Sequence, residues 1–293
     1  MKPGKVILVT GTNSGVGLCL AKRLYHSPYR VVITARKKSI DQIPKNLKED
    51  DNRFLIRPLD VTDDQQRKDL IKEINQKWGG VDVLINNAGV SYRSTIEDMD
   101  NESEFLLFKT NFFGPMALTR LVLPKMREKR AGKIINVSSV AGMMAMPTMY
   151  AYSSSKFALE GASESLWYEM KPWGIKVSVI QPGFIHSSSF KKVQYTKKSK
   201  EGSEKGKPYA VYYQKMKSFV TKYMQKSPST ADQVARTILR TMEKRNPPLR
   251  VLATPDATLF YYLRRFLPRA IYHTILYTFL PEIKKWVPKK KTK

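Results

Sequence analysis

The chain has 293 residues, 42% of them hydrophobic, with 52 Lys and Arg against 25 Asp and Glu, a formal charge of +27. That length can bury a full core, and the composition is that of a globular protein. One cysteine, Cys19, and three scattered histidines exclude a disulfide framework and give no metal constellation.

The chain opens with Met1 to Lys5 running straight into a β-branched stretch, so no signal peptide is expected. Residues 5–10 predict a buried strand, Gly11, Asn13, Ser14, Gly15, Val16 and Gly17 a glycine-rich turn, and Leu18, Leu20, Ala21 and Leu24 the apolar face of a helix. A strand, such a turn and a helix N-terminus make a phosphate cradle, because glycine lets the backbone come close and the first helical N–H groups are unpaired. The spacing is G-xxx-G-x-G rather than the common dinucleotide fingerprint. A bare tight turn is the plainer reading, and the position after the first strand favours a nucleotide site.

A second strand at 30–35 runs into Arg36-Lys37-Lys38, and a third at 54–59 into Asp60 and Val61. Asp60 or Asp63 is expected to cap the helix 63–78, which Gly79-Gly80 ends. Residues 81–85 predict a fourth strand leading into Asn86, Asn87, Ala88 and Gly89. A long helix is expected over 102–128 around Asn111, then a fifth strand at 131–137. Ser139 follows it, where α/β folds place reactive groups.

Tyr152 and Lys156 stand four apart, on one face of a helix expected to run to about Met170. A free tyrosine titrates near ~10, and a neighbouring ammonium favours its phenolate. Such a pair can pass a proton to or from an alcohol oxygen. The spacing is weak alone, since Tyr213 and Lys217 repeat it. Taken singly, Ser139 is a loop or cap serine and Asn111 a helix-end amide. A sixth strand at 175–180 leads to Pro182-Gly183. Strands alternating with helices predict an α/β, doubly wound parallel sheet.

Thr10-Gly11-xxx-Gly15-x-Gly17, Asn86 to Gly89, Asn111, Ser139, Tyr152-xxx-Lys156 and Pro182-Gly183 stand in the order and spacing of the short-chain dehydrogenase/reductase family, which residues 3–250 resemble. Within it, residues 155–161, Ile185-His186-Ser187 and Pro248-Leu249-Arg250 resemble the branch of estradiol 17β-dehydrogenase type 1 and the retinol dehydrogenases. The resemblance implies Ser139, Tyr152 and Lys156 as catalytic residues, with Asn111 supporting a proton-relay water. It implies a cofactor site of the glycine loop, Asp60, Val61, Asn87, Ala88, Gly89, Tyr152, Lys156, Pro182, Gly183, Ile185 and Ser187. An acidic residue at the end of the second strand would suit NAD; Arg36 there suits the 2′-phosphate of NADP(H). The plainer reading of Arg36 is a solvated charge.

Residues 188–226 carry eleven lysines against two acidic residues, interleaved with Tyr209, Tyr212, Tyr213, Met216, Phe219, Tyr223 and Met224. By resemblance this is a substrate lid over an apolar alcohol or carbonyl compound, steroid-, retinoid- or lipid-like. A domain over 1–254 is expected, followed by a basic amphipathic extension, 255–293. Its apolar run 270–280 is shorter than the ~20 residues of a spanning helix. Aromatics including Trp286 beside Lys and Arg fit a helix lying on an anionic membrane; packing on the domain or on a second subunit is the alternative. Lys290-Lys291-Thr292-Lys293 fits a dilysine signal, so the cytosolic face of a membrane, the endoplasmic reticulum if eukaryotic, is expected, with a homodimer. No nucleic-acid module is present. A nucleotide-bound scaffold or sensor is the alternative function, against which the complete Asn111, Ser139, Tyr152 and Lys156 set argues.

Overall fold

The computed structural model describes residues 4–186 and 193–287. Ser187 and the dilysine segment lie outside them. The chain runs β1 (Val6–Val9), α1 (Gly15–Tyr25), β2 (Arg30–Ala35), β3 (Phe54–Pro58), α2 (Asp64–Trp78), β4 (Val83–Asn86) and α3 (Asn101–Phe108). It continues through α4 (Gly114–Glu128), β5 (Gly132–Val137), α5 (Tyr150–Met170), β6 (Ile175–Gln181), α6 (Lys197–Gly202), α7 (Ala210–Lys226), α8 (Ala231–Glu243), β7 (Arg250–Leu252), α9 (Pro255–Phe266) and α10 (Arg269–Phe279).

All strand pairs are parallel and the sheet order is β3-β2-β1-β4-β5-β6-β7. Alternation along β1 divides the core: Ile7 and Val9 pack with Leu20, Leu24, Val234 and Ile238 of α1 and α8. Val6 and Leu8 pack with Leu70, Ile74, Leu118, Val122 and Leu166 of α2, α4 and α5. Both faces are therefore covered, as a parallel sheet requires. The order reverses between β1 and β4, and a crevice opens there at the strand carboxyl ends.

Three features depart from the sequence expectation. The helix over 102–128 is two helices joined by a π-helical turn, Lys109–Phe113. Pro115 is the reason: it has no N–H for the carbonyl of Asn111, and its ring crowds that carbonyl. The ladder widens, and the N–H of Gly114 reaches the carbonyl of Lys109. The strand β7 was not expected, because three half-buried residues carry too short a pattern. It pairs with β6 through Val179 and Arg250.

The third departure is Trp286, only 2% exposed and packed with Met216 and Val220 of α7. Its indole N–H donates to the carbonyl of Pro281 at 2.8 Å, and its ring lies 4.7 Å from that of Tyr212. It is therefore spent on the lid and does not face a membrane. Truncation, Trp286→Ala, is expected to cost about 3–5 kcal/mol, the range for buried aromatics. Urea denaturation measures it, together with faster proteolysis of α7 in the folded protein.

Candidate active site

The crevice holds a cavity of about 670 Å³ lined by every expected cofactor residue among those described except Gly15. Gly11 has φ +71°, and a Cβ there would lie 2.7 Å from the Cα of Ala88. Only glycine lets the first loop touch the fourth. The two loops are tied by Thr10, whose hydroxyl accepts from the N–H groups of Asn87 and Ala88, each at 3.0 Å. The Asn87 amide returns the contact, donating to the carbonyls of Thr10 and Gly11 at 2.9 Å. Ser14 caps α1 in extended conformation without a side-chain bond, and no acid stands in the first turn. The helix thus presents free N–H groups and its positive end, which fits a pyrophosphate.

At the other end of the cavity Arg36 and Lys38 both line the wall and are exposed. Lys38, with Ser39 and Gln42, was not singled out from sequence; the short 3₁₀ turn at Lys37–Gln42 is what brings it round. Asn13 donates to Gln42 at 2.9 Å. Asp63, not Asp60, caps α2 by accepting from the N–H of Gln66. Asp60 lines the cavity and accepts from the N–H and hydroxyl of Thr62 at 3.0 and 2.7 Å. The Pro182-Gly183 turn is fixed from behind. The N–H of Gly183 donates to Thr254, and that of Phe184 to the carboxylate of Asp256.

Ser139, Tyr152 and Lys156 converge at the centre. Ser139 follows β5, accepts from the N–H of Ala141 at 3.1 Å and stands close enough to the Tyr152 phenol to influence its pKa. Lys156 lies under the cleft floor, donates to the carbonyl of Val137 at 2.9 Å and sits 5.8 Å from the centre of the Tyr152 ring. Burial raises the Tyr152 pKa, and the opposing influence is the Ser139 hydroxyl rather than Lys156. The expectation that Lys156 lowers the phenol's pKa is therefore not met. Burial instead lowers Lys156 itself to about 8, against the upward pull of Glu160.

Glu160, one turn beyond Lys156, was not singled out. Burial raises its pKa, and Ser138, Gln181 and Arg250 oppose that rise. Gln181 donates to it at 3.0 Å and Arg250 at 3.2 Å. The i,i+4 spacing from Lys156 was the available signal. Tyr213, by contrast, ties α7 to the segment before α3: it donates to Asp98 at 2.6 Å and accepts from the N–H of Thr95.

Asn111 is fully buried, and its amide is used up. It accepts from the N–H of Val90 at 2.8 Å, and donates to the Val90 carbonyl at 2.9 Å and to Ser155 at 3.1 Å. It clamps the loop after β4 to the catalytic helix. The apolar end of the cavity comes from Met144, Met146, Met149 and Phe184, with Val220 and Met224 of α7. No metal-binding cluster occurs among the described residues.

A twisted parallel sheet with a glycine-bordered crevice and a Ser-Tyr-Lys cluster at its centre defines a nucleotide-binding α/β oxidoreductase. The family profile described as short chain dehydrogenase matches residues 5–198, and the chain belongs to that family. Oxidoreductase BOA17 of Botryotinia fuckeliana (strain B05.10) is 31% identical over 258 residues, 86% of this chain and 90% of that protein. The 3-ketodihydrosphingosine reductase of Bacteroides thetaiotaomicron is 41% identical over 183 residues, 62% of this chain and 64% of that one. A short-chain dehydrogenase structure from Streptomyces avermitilis superimposes with a TM-score of 0.74 at 30% identity, covering 97% of this chain and 96% of that chain.

Replacing Asn111 with Leu strands the N–H and C=O of Val90, each worth roughly 1–3 kcal/mol when buried unpaired. We expect Asn111→Leu to lose about 2–4 kcal/mol in chemical denaturation. A loss below half a kcal/mol would mean that water replaces the clamp.

Proposed function

We propose that the protein is an NADP(H)-dependent oxidoreductase interconverting an apolar alcohol and its aldehyde or ketone by a Ser-Tyr-Lys mechanism. The observation that carries this is the convergence of Ser139, Tyr152 and Lys156 on one cavity that also reaches Arg36 and Lys38. When bound, the nicotinamide supplies or accepts the hydride. Ser139 donates to the substrate oxygen and orients it against Tyr152. The Tyr152 phenol gives its proton to the developing alkoxide in reduction and takes one in oxidation. Lys156, still largely protonated at neutral pH, holds the nicotinamide ribose. The side chain of Asn111 is occupied, so a relay water would rest on its main-chain carbonyl, from which Pro115 has removed the helical donor.

The methionine- and phenylalanine-lined end of the cavity favours an apolar substrate. The Bacteroides relative is named for a keto compound, and this likeness supports carbonyl reduction. We also place the protein on an anionic membrane through α9 and α10. Phe266 is 75% exposed, Ile271 and Phe279 are also exposed, and Arg264, Arg265 and Arg269 lie among them. No described helix is long and apolar enough to cross a membrane.

Tyr152→Phe is expected to reduce turnover by on the order of 10²–10⁴ while leaving cofactor affinity intact. The unmodified enzyme gives the pH signature. Because burial raises the phenol's pKa, reduction stays level through neutrality and falls only once the phenol ionises. Oxidation, which needs phenolate, rises about tenfold per pH unit over the same range. Steady-state kcat/KM profiles in both directions check this, and activity of the Phe variant within a few-fold of wild type overturns it.

The cofactor preference is tested at the second strand. Arg36→Asp exchanges a charge-assisted phosphate contact for repulsion and is expected to reverse the ratio of kcat/KM for NADPH over NADH. Equal use of both cofactors by the unmodified enzyme rejects the NADP(H) assignment.

A further inference from the structure

A second cavity of about 460 Å³ lies beside the catalytic one, between the 144–147 segment, α7, α9 and α10. The two cavities share Met144, Met146 and Phe184. We propose that this chamber is the subsite for the unbranched alkyl chain of a single-chain amphiphile, whose oxidised or reduced carbon sits at Tyr152. The proposal deepens the oxidoreductase reading and rests on it.

Its chemistry is that of an alkyl site. Asp256 is its one acidic side chain, and that carboxylate accepts from the N–H of Phe184. Its one imidazole, His273, belongs to the exposed face of α10. Apart from the hydroxyls of Tyr223 and Tyr277, the other lining side chains are apolar, so a charged substrate portion would be poorly compensated there. The partition suits a passage, because two methionine side chains can change rotamer without leaving a void. The volume lies within the range of small-molecule sites.

The position of the chamber fixes the occupant further. Leu259, Tyr277 and Phe279 form its outer wall and are 57%, 56% and 56% exposed. A chain can therefore enter from an apolar phase on the face of α9 and α10 and pass inward to the methionine partition. A rigid polycycle would need the partition removed rather than parted. The chamber also lies largely outside the family-matched stretch: α7, α9 and α10 are wholly beyond residue 198, while the 144–147 segment and Phe184 fall within it.

The test is a homologous series of n-alkanals, C4 to C14, reduced with NADPH, beside calorimetric titration of the matching n-alkanols. Reduction consumes one NADPH and one proton per aldehyde and leaves NADP and the alcohol. Each methylene that enters an apolar site should raise kcat/KM and alkanol affinity about fourfold, until the chamber is full and the series levels. Leu276→Trp places an indole in the chamber and should move the levelling point to shorter chains, with the melting temperature reporting that the fold is kept. A flat wild-type series, or the same levelling point in the variant, overturns the chamber. Should the Trp variant fail to fold, Leu259→Phe on the outer wall gives the same readout. Alkanol affinity that climbs and shifts as expected, with no alkanal turned over, leaves the chamber standing and rejects the oxidoreductase reading. Turnover without chain-length dependence does the reverse.

Discussion

A lysine ammonium held under the floor of a cleft is expensive to desolvate, by several kcal/mol for an uncompensated ion. Much of this structure is arranged around compensating it. Lys156 reaches the carbonyl of Val137 at the end of β5, and Glu160 stands one turn further along α5. Glu160 is itself buried and needs donors, which Gln181 of β6 and Arg250 of β7 supply. Arg250 also reaches Glu164 at 2.5 Å. The catalytic helix is thus tied to the ends of three adjacent strands by one polar network. That network gives the three-residue edge strand β7 a role beside its packing: it delivers the guanidinium that opposes the rise in the Glu160 pKa beside the lysine.

The same arrangement separates what could be read in the sequence from what could not. The β1–loop–α1 unit was legible because glycine spacing, a β-branched run and an amphipathic helix all follow from local rules. Tyr152 and Lys156 were legible because four residues is one helical turn. The clamp by Asn111 was legible only as a suspicion. Its meaning lies in Val90 and Ser155, 21 and 44 residues away. The π turn had a local cause, Pro115, that a helix pattern over 102–128 conceals. Glu160 looked like any acid on a helix, because its importance depends on burial and on partners from β6 and β7. Lys38 was passed over in favour of Arg36, since charge alone does not say which of three consecutive cations a 3₁₀ turn aims at the cavity.

The C-terminal segment carries the clearest lesson in competing readings. Aromatic and basic residues together suit an interfacial helix, and they also suit a strap that closes an apolar lid. The structure divides them. Trp286 goes inward onto Met216 and Val220 of α7, and Lys215 of the lid pairs with Glu282 at 2.6 Å. Phe266, Ile271 and Phe279 stay outward. Composition could not make this division, because it depends on which face of each short helix meets α7. The strap also reaches the cofactor end of the site, where Thr254 and Asp256 hold the backbone of Gly183 and Phe184.

On the proposed reading, substrate choice resides in a different part of the chain from hydride chemistry. The nucleotide cradle and Ser139, Tyr152 and Lys156 all fall within the matched residues 5–198. The apolar walls at Val220 and Met224, and the chamber behind them, come from α7, α9 and α10. Likeness in the sheet constrains how a hydride and a proton are exchanged, because that geometry is set at strand ends. It constrains little about which carbon is presented, because the presenting surface is built by helices that pack on the sheet's edge. Lid, strap and partition are joined through Met146 and Phe184, each in contact with the cluster around Trp286. If the proposed chamber holds the alkyl chain, a change in the strap should therefore alter chain selection before it alters chemistry at Tyr152.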